Sequence, residues 1–323
     1  MKKPSVGKTI WGCIYPLIIF IGVDTVISMV AMFIISFWEA FNMGQVADYY
    51  EAYMQIFNNS MNVFYKYALY FTIARCVIVV PVFFILMRKD VKREIMDGTH
   101  VYYEKFNKAW LLLVIPIGMF ACIGFNNLVM MFAELAQSFI NYIIDTLNLD
   151  VEYDIFGSFN ETSDIIYSGG LVFQVLATCV GAPFAEELLF RGLIHRRLRK
   201  ILNMIPAMLI SSLLFGIIHG NIIQGVYAFL IGLMCAFVYE KFKNLWAPII
   251  LHASANSLAV ISTYLATESE GVGLNLATYI LYTVVMISCA VGLLLLLEKK
   301  LIRKEIPQPQ IIVEETNSNQ GEI

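Results

Sequence analysis

The chain has 323 residues, of which 59% are hydrophobic and 15% are charged, and its formal net charge at pH 7 is −3. A soluble globular domain is close to half apolar and a quarter charged, so this composition excludes that class and indicates a membrane protein. The charge is too small to suggest a nucleic-acid partner, and the sequence shows no basic stripe or nucleic-acid-binding motif. The six cysteines lie in apolar runs without CxxC spacing, so we expect buried free thiols.

Apolar runs of a length close to that of a transmembrane helix, roughly 20 residues, recur along the whole chain. The predicted spans are residues 11–38, 66–87, 109–133, 167–190, 205–220, 222–240, 245–266 and 275–297. The predicted fold class is therefore all-α, a polytopic membrane helix bundle of about eight transmembrane helices in contact with membrane lipid.

Charge alternates between successive connecting segments. Segments 39–65 and 134–166 carry acidic residues and no Lys or Arg, whereas segment 88–108 and the residues that follow the fourth, sixth and eighth spans are basic. Eight spans with both termini in the cytoplasm place every basic cluster inside, as the positive-inside rule requires. Both termini are therefore predicted to be cytoplasmic.

This pattern divides the chain into four predicted parts. Residues 1–165 form an N-terminal membrane region with three spans and an acidic outer loop, and residues 166–266 form a core that carries the motifs described below. Residues 267–304 contain the last transmembrane helix, and the polar residues 305–323 form a disordered tail.

Two further charges lie near the middle of the first two spans. These are Asp24 and Arg75, and antiparallel neighbouring helices would bring them to a similar depth. We predict that they pair. The pair is either a structural device or part of the lining of a polar cavity.

The fourth span contains three charged residues in the motif Glu186-Glu187-x-x-x-Arg191. A charge at the centre of a bilayer costs at least about 2.5–3.5 kcal/mol, so an intramembrane charge is a functional candidate by default. Glu187 and Arg191 are four residues apart and share one helix face, which allows an ion pair. Glu186 is rotated about 100° from Glu187 and remains available for a cavity.

Two other motifs follow in the fifth and seventh spans. Phe215 and His219 are four residues apart, with Gly216 allowing another helix to approach closely, and His252 and Asn256 are again four residues apart. A lone histidine in an apolar helix is usually a hydrogen-bonded core residue. Because the polar candidates lie on three helices of one half of the chain, we predict a shared polar site formed by Glu186, His219, His252 and Asn256.

The chemistry of these side chains suits peptide hydrolysis without a nucleophilic Ser or Cys. Glutamate can act as a general base toward water, histidine can orient that water, and an asparagine amide can donate to a developing oxyanion. Glu186, His219 and His252 would equally suit a catalytic zinc with an open position. The chain has no His-Glu-x-x-His motif, so a zinc cofactor is permitted rather than indicated.

Assembly of such a site sets a condition on the fourth helix. The hydropathy span 167–190 leaves Glu186 close to a helix end, whereas His219 falls late in a helix that runs outward. The site can form only if the fourth helix is continuous through Glu186 and extends well past Arg191.

The three motifs in this order resemble the CPBP intramembrane proteases. That group includes the type II CAAX prenyl proteases and bacterial proteins linked to bacteriocin immunity and lysostaphin resistance, and the likeness covers about residues 170–262. The resemblance implies that Glu186 activates the hydrolytic water, that His219 helps to hold it, and that His252 and Asn256 stabilise the oxyanion. Glu187 and Arg191 would support these groups, together with Phe215. It also implies a membrane-associated or lipidated peptide or protein as the substrate and a bacterial cell membrane as the location.

Two functions of other classes remain open on the sequence. One is a non-catalytic membrane protein of bacteriocin immunity or secretion that keeps these residues for stability or binding. The other is a transporter or proton relay that uses buried Glu and His. Internal repeats would favour the transporter, and the sequence shows none.

Overall fold

The computed structural model describes residues 5–44, 48–167, 169–266, 275–301 and 305–306. Its helices are α1 (Val6–Asn42), α2 (Tyr49–Lys66), α3 (Ala68–Met96), α4 (Val114–Thr146), α5 (Gly157–Tyr167), α6 (Leu171–Leu198), α7 (Met204–Ile217), α8 (Ile222–Phe242), α9 (Trp246–Ala266) and α10 (Leu276–Lys300). A short 3-10 turn, Lys108–Leu113, leads into α4. Strand β1 (Tyr102–Tyr103) pairs antiparallel with strand β2 (Glu305–Ile306). Apart from this two-residue pairing, the described fold is all-α, as predicted.

The helix order matches the predicted spans, but one helix is too short to cross a bilayer. Within the described ranges, seven helices are long and apolar enough to do so, and α7 is not among them. The predicted span 205–220 corresponds to α7, which has 14 residues and rises about 21 Å, less than the roughly 30 Å of hydrocarbon. The prediction of eight full spans is therefore wrong at this helix. The chain turns there because Gly220 has a φ of 77° and the Asn221 side chain caps the start of α8.

Segments predicted as loops contain additional helix. In segment 39–65, α2 begins where the Asp48 side chain accepts a hydrogen bond from the backbone of Tyr50. Within the acidic segment 134–166, α4 continues to its end at Thr146 and α5 follows. The predicted disordered tail 305–323 begins with β2, and residues 307–323 lie outside the described ranges.

Basic side chains gather at one end of the bundle, which we call the basic end: Arg196, Arg197, Arg199, Lys200, Lys241 and Lys243. Arg197 joins three helices there, because Nε donates to Asp90 Oδ2 at 2.7 Å on α3 and Nη1 donates to the carbonyl of Gly12 on α1. Lys241 pairs with Glu298 near the end of α10 at 2.5 Å. The beginning of α1 and the end of α10 thus lie at the same end of the bundle. That this end faces the cytoplasm stays a prediction.

Polar contacts between α1 and α3 follow the sequence analysis closely. Arg75 Nη1 lies 2.9 Å from Asp24 Oδ1, which confirms the predicted pair. One buried apolar cluster joins these two helices to α6 and α7 and includes Phe20, Cys76, Ala185 and Phe215. The six cysteines are free thiols, five of them buried and one half-buried, as expected.

Candidate active site

The two adjacent glutamates lie near the middle of α6. This helix is continuous from Leu171 to Leu198, which confirms that it runs through Glu186 and past Arg191. Glu186 is therefore about 22 Å along the helix from its start and about 18 Å from its end. A site on this side chain is deeper in the bundle than the hydropathy span suggested.

The helix widens on both sides of the glutamates. Regular α-helix at Ala182–Glu187 is flanked by π-helical stretches at Val175–Gly181 and Leu188–His195. π-helical turns often occur at functional sites. Pro183 has no backbone N–H, so one backbone hydrogen bond of the helix is missing at this point. The first π-helical stretch ends two residues before this proline.

Glu187 and Arg191 form the predicted ion pair in the interior. Arg191 Nη1 lies 3.0 Å from Glu187 Oε1, and both side chains are completely buried. A second guanidinium nitrogen, Nη2, donates to the carbonyl of Gly232 on α8 at 2.6 Å, and the guanidinium lies over the ring of Phe215 at 5.0 Å. A buried charge pair needs such additional partners to offset its desolvation.

His252 stands between the two glutamates. Its Nδ1 lies 3.1 Å from Glu187 Oε1, and its Nε2 lies 3.8 Å from Glu186 Oε2. Because an ionised carboxylate only accepts hydrogen bonds, we assign a proton to Nδ1. Glu187 thereby fixes the orientation of the imidazole and directs Nε2 toward Glu186.

His219 follows α7 and is fixed in a similar way. Its Nδ1 lies 2.7 Å from the carbonyl oxygen of Phe215, so Nδ1 is again the protonated nitrogen. The ring of Phe215 meets both imidazoles edge-to-face, with centroids 4.9 Å from His219 and 5.5 Å from His252. The expected close approach at Gly216 is confirmed, because a Cβ there would lie 2.5 Å from the carbonyl oxygen of Gly225 on α8.

Asn256 contacts α6 at a different level from the glutamates. Its Nδ2 donates to the carbonyl oxygen of Thr178 at 2.7 Å, within the first π-helical stretch. A side-chain amide has two N–H donors, so one remains for another acceptor. Sequence reasoning did not anticipate Thr178 or Gly232, whose contributions are backbone carbonyls that leave no signal in residue type.

The zinc interpretation does not fit the described geometry. In that part of the chain, no group of three or more His, Cys, Asp and Glu side chains is arranged to hold a metal ion. We therefore derive no step through a metal.

One polar cluster outside the motifs was missed. His195 lies in the basic segment that follows the predicted fourth span, but its side chain is completely buried, with Nε2 2.8 Å from Glu240 Oε1. On α7, Oγ of Ser211 lies 3.4 Å from Nδ1 of His195. The missed signal is the acidic Glu240 near the end of an apolar helix. This cluster joins α6, α7 and α8 between the glutamates and the basic end of the bundle.

Comparison with known proteins gives two matches. Residues 168–258 match the family model described as "Rce1-like: Type II CAAX prenyl endopeptidase Rce1-like". An alignment of 117 positions to a Bacillus subtilis (strain 168) protein named "Putative membrane peptidase YdiL" is 32% identical and covers 34% of this chain and 47% of the relative. No solved structure matches. With seven described helices long and apolar enough to cross a bilayer, the chain is a multi-pass integral membrane protein. Residues 168–258, which contain all three motifs, are thus the part of the chain that is similar to Rce1-like type II CAAX prenyl endopeptidases, and the chain spans about half the length of the curated relative that it matches.

Proposed function

We propose that this protein is an intramembrane endopeptidase in which Glu186 activates water for hydrolysis of a peptide bond. The observation that carries the proposal is the difference between the adjacent glutamates. Glu187 is completely buried and engaged by both Arg191 and His252. Glu186 is 8% exposed, and its Oε2 lies 3.8 Å from Nε2 of His252. The other carboxylate oxygen of Glu187 has no hydrogen-bond partner among the described residues but is buried, so Glu186 is the one of the two glutamates that can meet a water molecule.

Hydrolysis follows from general acid–base chemistry at this carboxylate. A water held by Glu186 and the Nε2 of His219 gives its proton to Glu186 as its oxygen attacks the scissile carbonyl. Glu186 then returns the proton to the departing amine. No covalent intermediate is needed, because water itself is the nucleophile.

The negative charge that develops on the carbonyl oxygen needs donors nearby. His252 can donate from Nε2 in its imidazolium form, in which both ring nitrogens carry a proton. The second N–H of the Asn256 amide is the other donor. Loss of one such donor typically costs a factor of about 10²–10³ in turnover.

The position of the site suggests the class of substrate. Glu186 lies near the middle of a membrane-spanning helix, so the scissile bond has to enter the bundle from the bilayer or its surface. A membrane-associated or lipidated peptide meets this requirement, and a prenylated peptide is the variant suggested by the family description. Metal dependence and a link to bacteriocin immunity have no support in the described residues or the comparisons.

The test is cleavage of quenched fluorescent peptides, one prenylated and one not, by protein purified in a nonionic detergent. Glu186→Gln should abolish cleavage, whereas Glu51→Gln, the same change on an exposed residue of α2, should leave it unchanged. Equal cleavage by wild type and Glu186→Gln would refute the role of Glu186. Activity that is lost with a chelator and restored by zinc would contradict the metal-free reaction. An inactive wild type with intact folding would favour a non-catalytic role.

A further inference from the structure

The Asp24–Arg75 pair lies beside the candidate active site although α1 and α3 are outside the matched region 168–258. The residue after Arg75, Cys76, packs on α6 at Gly181, where an added Cβ would lie 3.1 Å from its Sγ. Gly181 precedes Glu186 by five residues, which is about 7.5 Å along the helix. Arg75 therefore enters the bundle within one or two helical turns of Glu186.

The packing around the pair is shared with the site. Phe20 lies one helical turn before Asp24, and Cys76 is next to Arg75. Both belong to the buried cluster that also contains Ala185 and Phe215. Ala185 is adjacent to Glu186, and Phe215 contacts both histidines of the site. The pair thus borders the apolar wall that encloses the glutamate.

Arg75 has donors that its partner does not use. Nη1 binds Asp24, whereas Nε is buried and has no hydrogen-bond partner among the described residues. The guanidinium lies over the ring of Phe20 at 4.8 Å, which restrains its plane. A buried N–H without an acceptor is unfavourable, so the guanidinium of Arg75 would gain from binding an additional hydrogen-bond acceptor.

The two partners also differ in exposure. The side chain of Asp24 is 51% exposed, against 17% for Arg75. Asp24 therefore lies at the surface of the described bundle, and the partly exposed guanidinium of Arg75 lies next to it. The planar fork of an arginine matches a carboxylate with two parallel hydrogen bonds.

We propose that Arg75 binds a carboxylate of the substrate peptide and so positions the peptide for hydrolysis at Glu186, with Asp24 holding the guanidinium when the site is empty. The proposal rests on the function proposed above. The carboxylate can be the C-terminus of the peptide or an acidic side chain near the scissile bond. Arg75 is a positioning residue, since it acts on the substrate at a distance from the reacting atoms.

A binding measurement tests this independently of turnover. In a Glu186→Gln background, fluorescent peptides with a C-terminal acid, a C-terminal amide, or an amide plus one acidic side chain are titrated in nonionic detergent. A charge-assisted contact predicts that one of the carboxylate peptides binds roughly 10- to 100-fold tighter than the plain amide. Arg75→Gln should remove this difference and leave the amide affinity unchanged. Arg88→Gln, the same change on α3, should preserve the difference.

A second variant keeps the test informative if Arg75→Gln folds poorly. Asp24→Asn retains an acceptor for Arg75 and removes the competing negative charge, so the carboxylate peptide should bind several-fold tighter. Equal affinity of all three peptides, an equal loss for acid and amide in Arg75→Gln, or weaker acid binding in Asp24→Asn would overturn the proposal. Because binding is measured without cleavage, failure of the hydrolytic function and failure of the Arg75 role give different results.

Discussion

Glu187→Gln should lower the free energy of unfolding, whereas Glu186→Gln, the same change on the adjacent residue, should not. Glu187 Oε1 accepts from Arg191 at 3.0 Å and from His252 at 3.1 Å, and the side chain is completely buried. Removing one charge from such a buried pair costs about 3–5 kcal/mol, because the other charge stays behind without compensation. Glu186→Gln removes a carboxylate that lies 3.8 Å from Nε2 of His252. Loss of that buried charge should leave the free energy of unfolding unchanged or higher.

The measurement is SDS-induced unfolding of the purified proteins in mixed micelles, followed by far-UV circular dichroism. The two variants differ by one position and carry the same substitution, so each is the control for the other. Replacing the whole pair by Glu187→Leu and Arg191→Leu should recover most of the lost stability, since an apolar pair needs no charge partner. Equal loss in the two single variants, or a larger loss in Glu186→Gln, would refute the assignment of Glu187 as the structural partner.

Three further changes test the packing that positions the site. Gly118→Ala should lower the free energy of unfolding by about 1–3 kcal/mol and misplace α9, because the added Cβ would lie 2.4 Å from the carbonyl oxygen of Leu251. Thermal unfolding and peptide cleavage measure these effects, and wild-type values for both would contradict the prediction. Gly216→Ala should reduce turnover more than stability, because a clash with the carbonyl oxygen of Gly225 displaces α7, the helix that leads to His219. The readout is kcat at equal folded fraction, and an unchanged kcat would contradict the prediction. Arg197→Gln should cost about 3 kcal/mol and expose α1 to limited proteolysis, whereas resistance equal to that of wild type would contradict its role in joining three helices.

Much of the site could be predicted from residue type and spacing. The ion pair of Glu187 with Arg191 follows from helix periodicity alone, and the pair of Asp24 with Arg75 follows from the cost of leaving a charge in hydrocarbon. Continuity of α6 followed from a consistency argument, since the motifs could meet only if that helix was longer than its hydropathy suggested.

Other features could not be predicted because they depend on tertiary contacts. The carbonyls of Thr178 and Gly232 become acceptors only when other helices approach them. His195 lies in the basic segment after the predicted fourth span, yet α8 buries it against Glu240. The short α7 was taken as a span because composition reports hydrophobicity and not the place where a chain turns.

The most direct test of the account is turnover per folded molecule for Glu186→Gln and wild type on a membrane-associated peptide. The folded fraction is measured by the SDS titration in the same detergent. Loss of a general base predicts a fall in kcat of about 10²–10⁴-fold, with a free energy of unfolding equal to or higher than that of wild type. Undiminished turnover in Glu186→Gln, or a fall that only follows the folded fraction, would contradict the proposal that Glu186 activates the water.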